Sequence, residues 1–342
     1  MNSEIIKVVA GGGKTTESEK VMLSKGNGLY LAFNNEVVEE MRLKGFLCKT
    51  IDSLFSSYLI PKFTSIIPSI DSGAKITHID DKTLPYYLKG IGNIHIDDQG
   101  YIFNKSKKTQ FNLNIENKQL HCLEKTANLA LIKYVFGKGK LRLNHSLRAD
   151  LICYILNKYP DEVIDILYKR FSFIIVDEAQ DLKNHLEIFA KLIHTSQIMT
   201  YFLGDSNQNI NGGGKWFEDL ETNNVISTSF RCPNDNCEWI RNNLNIEIYG
   251  NGNKSDFKIL SLNEVLSLDD GNRILLYNAA SGSLKDIVNQ WSSEKHTIKE
   301  AKGKTLDKDV VIIGKSLNIK LYYTAITRTT KNVFSTISKI TK

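Results

Sequence analysis

A glycine-rich turn between a β-branched run and a lysine is the segment that most constrains how this chain can fold. The run Ile5–Val9 predicts a buried strand, and Gly11–Gly13 follow it closely, directly before Lys14 and Thr15. Such a turn exposes backbone N–H groups to phosphate oxygens, the lysine reaches the β- and γ-phosphates, and the threonine hydroxyl can hold Mg²⁺. The segment therefore predicts a strand, a phosphate-binding loop and a helix. A glycine is expected where Val8 stands, so a strand-to-helix turn without a ligand is the alternative.

An acidic pair follows a second buried-strand run. Phe173–Val176 is continuously apolar, as in a parallel strand covered on both faces, and Asp177 and Glu178 come directly after it. Because the carboxyl ends of parallel strands form the ligand-binding edge of an open α/β sheet, the pair is expected beside the phosphate loop. Asp177 would hold Mg²⁺, directly or through water, and Glu178 would orient and deprotonate the attacking water. The alternative is an acidic helix start, which Asp and Glu also favour.

Composition narrows the class of protein. The 342 residues are 42% hydrophobic and 24% charged, as in a globular chain with room for two core domains and a modest insertion. Since no apolar stretch reaches the roughly 20 residues of a membrane helix and no secretory signal is found, we expect no membrane partner and an intracellular, cytoplasmic location (the host cytoplasm for a viral or phage protein). The net charge of +6 suits a polyanion partner. The five cysteines and seven histidines show no zinc-ligand spacing.

Four further segments complete an ordered series of six. A third strand run ends in Gly-Asp-x-x-Gln, and three polar segments follow it along the chain. The four segments are Tyr201–Gln208, Ser229–Pro233, Thr297–Thr305 and Tyr323–Arg328. In order and content the series resembles the motifs of superfamily 1 helicases, the group of UvrD/Rep DNA translocases, RecD-like enzymes and helicases of positive-strand RNA viruses. The resemblance runs from Val8 to Arg328, which is nearly the whole chain.

The resemblance implies an α/β fold with two RecA-like P-loop NTPase domains in tandem. It places domain 1A at residues 1–58 and 161–221, a 1B-like insertion at 59–160, and domain 2A at 222–342. No large 2B insertion is expected, because the stretch between Arg231 and Thr297 is short. Periodicity and turn residues also predict single elements. These are strands over Gly28–Phe33, Arg273–Tyr277 and Val310–Ile313, a helix opening at Thr50, and helices over 36–44, 120–135 and 147–156.

Carried over residue by residue, the resemblance implies a site for ATP, or another nucleoside triphosphate, with Mg²⁺. The residues expected to act in hydrolysis are Lys14, Glu178, Gln208, Arg231 and Arg328. Those expected to hold the nucleotide are Gly11, Gly12, Gly13, Lys14, Thr15, Thr16, Phe230 and Gly303. Those expected to bind the metal ion are Thr15 and Asp177. Those expected to contact single-stranded nucleic acid, DNA in preference to RNA, are Phe33, Asn34, Thr50, Trp216 and Thr297.

The chemistry of phosphoryl transfer and of base stacking explains why arginine and aromatic side chains are expected in the site. Phosphoryl transfer develops charge on the γ-phosphate oxygens, and the guanidinium forks of Arg231 and Arg328 would stabilise it. An aromatic ring stacks on any base at about 1–3 kcal/mol, which suits movement independent of sequence. For Phe33 the alternative is a core residue at the end of a strand. Near Trp216, Gly212–Gly214 intervene where relatives are more compact.

The sequence leaves several functional points open. Because only seven residues precede Val8, the glutamine that reads adenine in relatives is not expected here, and GTP or other triphosphates are expected to replace ATP. Lys299 stands where a histidine is usual, and the segments mix features of branches that move in opposite directions. The alternatives are a nucleotide-switched nucleic-acid-binding module without unwinding, and a viral-type RNA helicase or RNA 5′-triphosphatase. A protein partner that supplies processivity or loading is a further expectation.

Overall fold

The computed structural model describes residues 2–33, 35–67, 74–79, 94–96, 102–104, 109–114, 119–121, 135, 139–222, 224–268, 271–278 and 283–341. Asn34 and most of residues 68–138 lie outside these ranges. Much of the predicted insertion and most of the predicted helix over 120–135 therefore also lie outside the described residues. Where that helix should begin the prediction is wrong, since Leu120 and His121 belong to a strand over Gln119–His121. Among the helices within these ranges, none is long and apolar enough to cross a membrane.

Strands and helices alternate along much of the described chain. The strands are β1 (Ser3–Val8), β2 (Gly28–Ala32), β3 (Cys48–Thr50), β4 (Lys75–His78), β5 (Ile94–Ile96), β6 (Ile102–Asn104), β7 (Thr109–Asn114), β8 (Gln119–His121), β9 (Lys140–Leu143), β10 (Phe173–Val176), β11 (Met199–Gly204), β12 (Asn224–Ile226), β13 (Phe257–Ile259), β14 (Arg273–Tyr277), β15 (Lys295–Thr297), β16 (Asp309–Ile313), β17 (Ser316–Asn318), β18 (Val333–Ser335) and β19 (Lys339–Thr341).

The helices are α1 (Lys14–Lys25), α2 (Asn35–Leu43), α3 (Ile51–Leu54), α4 (Ile60–Phe63), α5 (His145–Lys158), α6 (Pro160–Tyr168), α7 (His185–His194), α8 (Trp216–Asp219), α9 (Asn234–Leu244), α10 (Leu262–Leu266), α11 (Ser283–Gln290), α12 (Ile298–Ala301) and α13 (Ile319–Ile326). A π-helical turn, Phe55–Leu59, joins α3 to α4, and 3₁₀ turns span Ala179–Asp181 and Ser206–Gln208.

Several single-element predictions are confirmed. The three predicted strands are found as β2, β14 and β16, and the helices predicted over 36–44 and 147–156 are found as α2 and α5. The predicted helix start at Thr50 is also found, since this residue caps α3. Every residue of β2 and β10 is buried, which explains why both read as continuous apolar runs in the sequence.

The chain divides into two compact units, and the first comprises Met1–Ser3, Asn27–Ile174 and Lys183–Thr200. Within this unit β2 pairs in parallel with β3, and β4 pairs in parallel with β9. Strands β5 to β8 form an antiparallel meander. The rings of Phe55 and Phe189 meet edge to face with centroids 5.1 Å apart, and both side chains are fully buried in the core.

A polar cluster lies beside this core. The carboxylate of Asp52 accepts a hydrogen bond from Arg148 Nη2 at 3.0 Å, and its other oxygen lies 3.1 Å from His185 Nε2. Burial alone would raise the pKa of Asp52, but the His185 hydrogen bond and the charges of Arg148, His185 and His145 bring that pKa below its ordinary value. The carboxylate is therefore held in its ionised form by its neighbours.

The substitution Asp52→Asn is expected to lower the free energy of unfolding at pH 7 by about 1–3 kcal/mol, because Arg148 loses its charged acceptor. Since the pKa is lowered on folding, the contribution is complete above the unfolded-state pKa near ~3.9 and is lost as the pH falls through the folded value below it. Urea unfolding of both proteins should therefore show a gap that is present from pH 7 to 5 and narrows in more acidic buffer. The exposed Asp165→Asn, which breaks only an i,i+4 pair with Lys169, is the control; an equal effect of both changes would contradict this account.

The second unit comprises Glu4–Gly26, Ile175–Leu182 and Tyr201–Lys342. Its five-stranded sheet has the order β13-β18-β16-β14-β15 with neighbouring strands parallel throughout, and β1 pairs in parallel with β12. Alternate residues of β14 pack into different cores: Ile274 and Leu276 enter one cluster, and Leu275 enters the other. The mixed α/β class with parallel sheets is thereby confirmed. The domain boundaries given above remain predictions.

Candidate nucleotide-binding site

The glycine-rich turn connects β1 to α1 as its sequence predicts. Gly11 and Gly13 have φ angles of +70° and +86°, a left-handed conformation that glycine adopts without steric cost. A Cβ atom on Gly11 would lie 2.6 Å from Arg231 Cβ, so this position also has no room for a side chain. Helix α1 begins at Lys14, and the backbone N–H groups of a helix's first turn attract anions. The local geometry is that of a phosphate-binding loop.

Lys14 and Glu178 form an ion pair in the second unit. Lys14 Nζ lies 3.1 Å from both carboxylate oxygens of Glu178. Burial alone would raise the pKa of Glu178, but the charges of Lys14 and Lys302, with hydrogen bonds from Gln180 and Lys14, lower it to about 2. For Lys14, burial opposes the charges of Glu178, Asp177 and Asp205, and its pKa is raised overall. A triphosphate that engages Lys14 must compete with Glu178 for it.

The backbone at Glu178 is unusual for a residue with a side chain. Its φ and ψ angles of 51° and 41° are left-handed, and non-glycine residues in this region cluster at functional sites. Gln180 Nε2 donates a hydrogen bond to Glu178 Oε2, while Gln180 Oε1 accepts one from the backbone N–H of Asp205. Glu178 is thus oriented from both sides, by Gln180 and by Lys14.

The residues predicted to hold Mg²⁺ have the right donor chemistry. Thr15 offers a hydroxyl oxygen at the start of α1, and Asp177 offers a carboxylate at the end of β10. Within the described ranges, no group of three or more His, Cys, Asp or Glu side chains could hold a metal ion. A Mg²⁺ site of the predicted kind would use one or two carboxylates and take its remaining ligands from phosphates and water.

Both predicted arginines lie in the second unit with the phosphate loop. Arg328 is 2% exposed, and its Nη2 donates to Gln208 Oε1 at 3.1 Å while its Nε donates to Thr324 O at 3.1 Å. Burial and the nearby positive charge of Arg231 lower the pKa of Arg328 to about 10, against the opposing charge of Glu178. Arg231 Nη1 donates to Thr327 O at 3.4 Å, and burial lowers its pKa. The negative charge of Glu178 therefore acts on both guanidinium groups.

Hydrogen bonds hold Gln208 within its own segment and join that segment to Lys302, which also bonds Asp181. Gln208 Nε2 donates to Asp205 Oδ2 at 2.7 Å. Lys302 Nζ donates to Asp181 Oδ2 at 2.5 Å and to the backbone carbonyl of Gln208 at 2.7 Å. Asp181, Asp205 and Lys302 are not among the predicted site residues, although each stands within or just after one of the six segments. Their closeness in sequence to predicted site residues is the signal that could have identified them.

Phe230, which is predicted to stack on the base of the nucleotide, borders the phosphate loop. Its side chain is 70% exposed, and a Cβ atom built on Gly13 would lie 3.4 Å from its ring. Gly303 has a φ angle of +89° just after α12, while Thr16 is exposed in the first turn of α1. The roles of Gly303 and Thr16 in holding the nucleotide remain predictions.

The residues predicted to contact nucleic acid are divided between the units. Phe33, which is 37% exposed, and Thr50 belong to the first unit, whereas Trp216 and Thr297 belong to the second. Thr50 and Thr297 are both helix N-caps, accepting backbone hydrogen bonds from residues three positions along. Trp216 packs edge to face on Phe202, with centroids 5.2 Å apart.

The glycines before Trp216 are closely packed. A Cβ atom on Gly213 would lie 2.1 Å from the carbonyl oxygen of Gln180, and the Asn209 side chain bonds both the N–H and the carbonyl of Gly213. These contacts fix the loop against the segment that follows the acidic pair. Glycine is required at this position because backbone atoms leave no space for a Cβ.

Comparison with known proteins adds a family match. The model of the UvrD/REP helicase N-terminal domain matches residues 29–212. Among solved structures, Arterivirus nonstructural protein 10 (helicase) in complex with DNA is 13% identical, with a TM-score of 0.48, over 97% of this chain and 60% of that one. The PRRSV helicase is 13% identical, with a TM-score of 0.46, over 98% of this chain and 52% of that one. This chain thus spans between half and about three fifths of the length of these helicases. A comparison with curated proteins found no match.

The acidic pair and Gln208 lie inside the matched range, and the phosphate loop lies before it. The matched range covers more than half of the 342 residues. The chain therefore belongs to the UvrD/Rep family of superfamily 1, a family of ATP-dependent helicases.

Proposed function

We propose that this protein is an NTP-dependent superfamily 1 translocase and helicase that couples ATP hydrolysis to movement along single-stranded nucleic acid, with DNA favoured, and to duplex unwinding. The observation that carries the proposal is the network of the second unit, in which Lys14 pairs with Glu178 and Arg328 bonds Gln208. These are residue types that NTP hydrolysis requires, and they come from segments far apart in the sequence. Family membership supports the same activity.

In the proposed reaction Lys14 leaves Glu178 and binds the β- and γ-phosphates. Glu178, oriented by Gln180, then accepts the proton of the attacking water. Thr15 and Asp177 would hold Mg²⁺, which when bound neutralises charge on the phosphate oxygens. The guanidinium groups of Arg231 and Arg328 stabilise the charge that develops on the γ-phosphate. Gln208 senses the γ-phosphate and connects it to the bound strand.

The proposed domain arrangement is two RecA-like domains in tandem, with 1A at 1–58 and 161–221, a 1B-like insertion at 59–160, and 2A at 222–342. The five-stranded parallel sheet formed by β13 to β16 and β18 supports the assignment of a RecA-like fold to 2A. Arginines contributed by 2A would make hydrolysis depend on closure of the two domains. Coupling of chemistry to movement would follow from that dependence.

The proposed strand contacts are stacking and phosphate binding. Phe33 keeps a third of its surface exposed at the end of β2, which supports stacking on a base. The hydroxyl groups of Thr50 and Thr297 suit phosphate oxygens, and Asn34 and Trp216 complete the proposed set. None of these contacts reads a particular base, in agreement with movement along any sequence.

The test is NTP hydrolysis with and without single-stranded DNA and RNA, followed by unwinding of duplexes with a 3′ or a 5′ overhang. We expect stimulation by the strand, a larger effect with DNA, activity with GTP as well as ATP, and displacement from one overhang. Strand-stimulated hydrolysis without displacement would contradict the unwinding part and favour a nucleotide-switched binding module. Absence of hydrolysis with every strand and nucleotide would overturn the whole proposal.

A further inference from the structure

The entrance to the phosphate loop is held by side chains from elsewhere in the second unit. The backbone N–H of Ala10 donates to the hydroxyl of Tyr323 at 3.0 Å, and the carbonyl of Ala10 accepts from Ser229 Oγ at 2.7 Å. Ala10 is 1% exposed, so its peptide groups depend on these two side chains in place of water. The loop's starting geometry is therefore set from outside the loop.

Tyr323 has a second hydrogen bond on its other side. Its hydroxyl donates to Asp205 Oδ2 at 2.9 Å, and the same oxygen accepts from Gln208 Nε2. Burial and the charge of Asp205 raise the pKa of Tyr323 well above its ordinary value, so the phenol keeps the proton that it donates. A rigid, fully buried ring thus connects Ala10 to the carboxylate that orients Gln208.

We propose that Tyr323 is a positioning residue that couples triphosphate binding at the phosphate loop to strand binding sensed through Asp205 and Gln208. The inference rests on the proposed function, since it assigns a regulatory connection within that same site. The hydroxyl of Tyr323 bonds Ala10 and Asp205, which are not among the groups assigned to the reacting phosphates, so it acts through these two residues. If Asp205 moves when Gln208 responds to a bound strand, the shared hydroxyl transmits that movement to the loop.

The chain offers a matched pair of variants for the test. Tyr323→Phe removes the hydroxyl that bridges Ala10 and Asp205. Tyr322→Phe removes the hydroxyl of an equally buried tyrosine on the same helix, and that hydroxyl donates to Ser335 Oγ at 2.7 Å instead of to Asp205. Ser229→Ala is the third variant, because Ser229 supports Ala10 without a bond to Asp205. Thermal unfolding of the three variants checks that each is folded.

The measurement is the Kd of a fluorescent, non-hydrolysable ATP analogue, with and without a saturating oligo-dT strand. Tyr323→Phe should weaken binding about tenfold, because the N–H of Ala10 at the loop loses its acceptor. Because the bond to Asp205 is lost as well, it should reduce the strand-induced change in Kd to less than half of its wild-type factor. Ser229→Ala should weaken binding but keep that factor. Tyr322→Phe should leave both quantities within about twofold of wild type.

The outcomes separate the inference from the proposed function. If the wild type binds the analogue and responds to the strand, but Tyr323→Phe behaves like Tyr322→Phe, the inference is overturned and the proposed function stands. If Tyr323→Phe and Ser229→Ala lose the strand response equally, Tyr323 only supports the loop and the coupling role is overturned. If the wild type binds no analogue, both fall.

Discussion

Replacing Glu178 with glutamine is expected to lower the strand-stimulated kcat by about 10²–10⁴-fold, because the amide cannot accept the proton of the attacking water. Binding of the triphosphate should become tighter at the same time. In the structure the carboxylate of Glu178 is paired with the ammonium group of Lys14. The neutral amide of the substituted glutamine would compete less well with phosphate for that ammonium group. Steady-state hydrolysis and equilibrium binding of a non-hydrolysable analogue measure the two effects separately.

The control for this change is Glu238→Gln, on the exposed face of α9. It should leave both kcat and nucleotide affinity unchanged. Hydrolysis at the wild-type rate in Glu178→Gln would remove this residue from its assigned role. A loss of nucleotide binding in the same variant would instead show that the ion pair with Lys14 is needed to shape the site.

Replacing Arg328 with lysine is expected to reduce kcat about 10³-fold while changing nucleotide affinity far less. Lysine keeps the positive charge in the buried position, but it cannot bond Gln208 and the Thr324 carbonyl at once as the planar guanidinium does. The charge that develops on the γ-phosphate would then lose its aligned donors. Single-turnover hydrolysis at saturating ATP and strand isolates this chemical step.

A folding defect must be separated from a chemical one here, since Arg328 is buried. Arg241→Lys provides the comparison, because Arg241 also donates to a backbone carbonyl, that of Ile248, and covers the ring of Tyr249. Both variants should unfold within a few degrees of wild type, and only Arg328→Lys should lose hydrolysis. Equal losses in the two variants would mean that general destabilisation, and not the guanidinium at position 328, explains the result.

The parts of the site that can be predicted from the sequence are those encoded locally. The phosphate loop follows from glycines between a strand and a lysine, and the placement of Asp177 follows from an apolar strand that ends before it. Strands such as β14 and β10 are recognisable because both faces are buried, which demands an unbroken apolar run. The helix start at Thr50 follows from its capping side chain.

The remaining parts depend on contacts between distant segments. The bond from Ala10 to Tyr323 joins residues 313 positions apart, and no local pattern encodes it. The left-handed backbone of Glu178 is equally unpredictable, since glutamate has no preference for that conformation and neighbouring contacts impose it. Gly213 reads as a flexible loop residue, yet the Gln180 carbonyl makes it a packing position. Such features follow from the tertiary structure alone.

The hydroxyl groups of the two capping threonines can accept one hydrogen bond and donate another. Thr50 and Thr297 each accept a backbone N–H through an oxygen lone pair, which leaves the hydroxyl proton to be given elsewhere. A phosphodiester only accepts, so it matches that proton whatever base it carries. Serine at either place would keep both the capping acceptor and the donor, whereas valine, of the same shape, would remove both and weaken the helix start by about 0.5–2 kcal/mol.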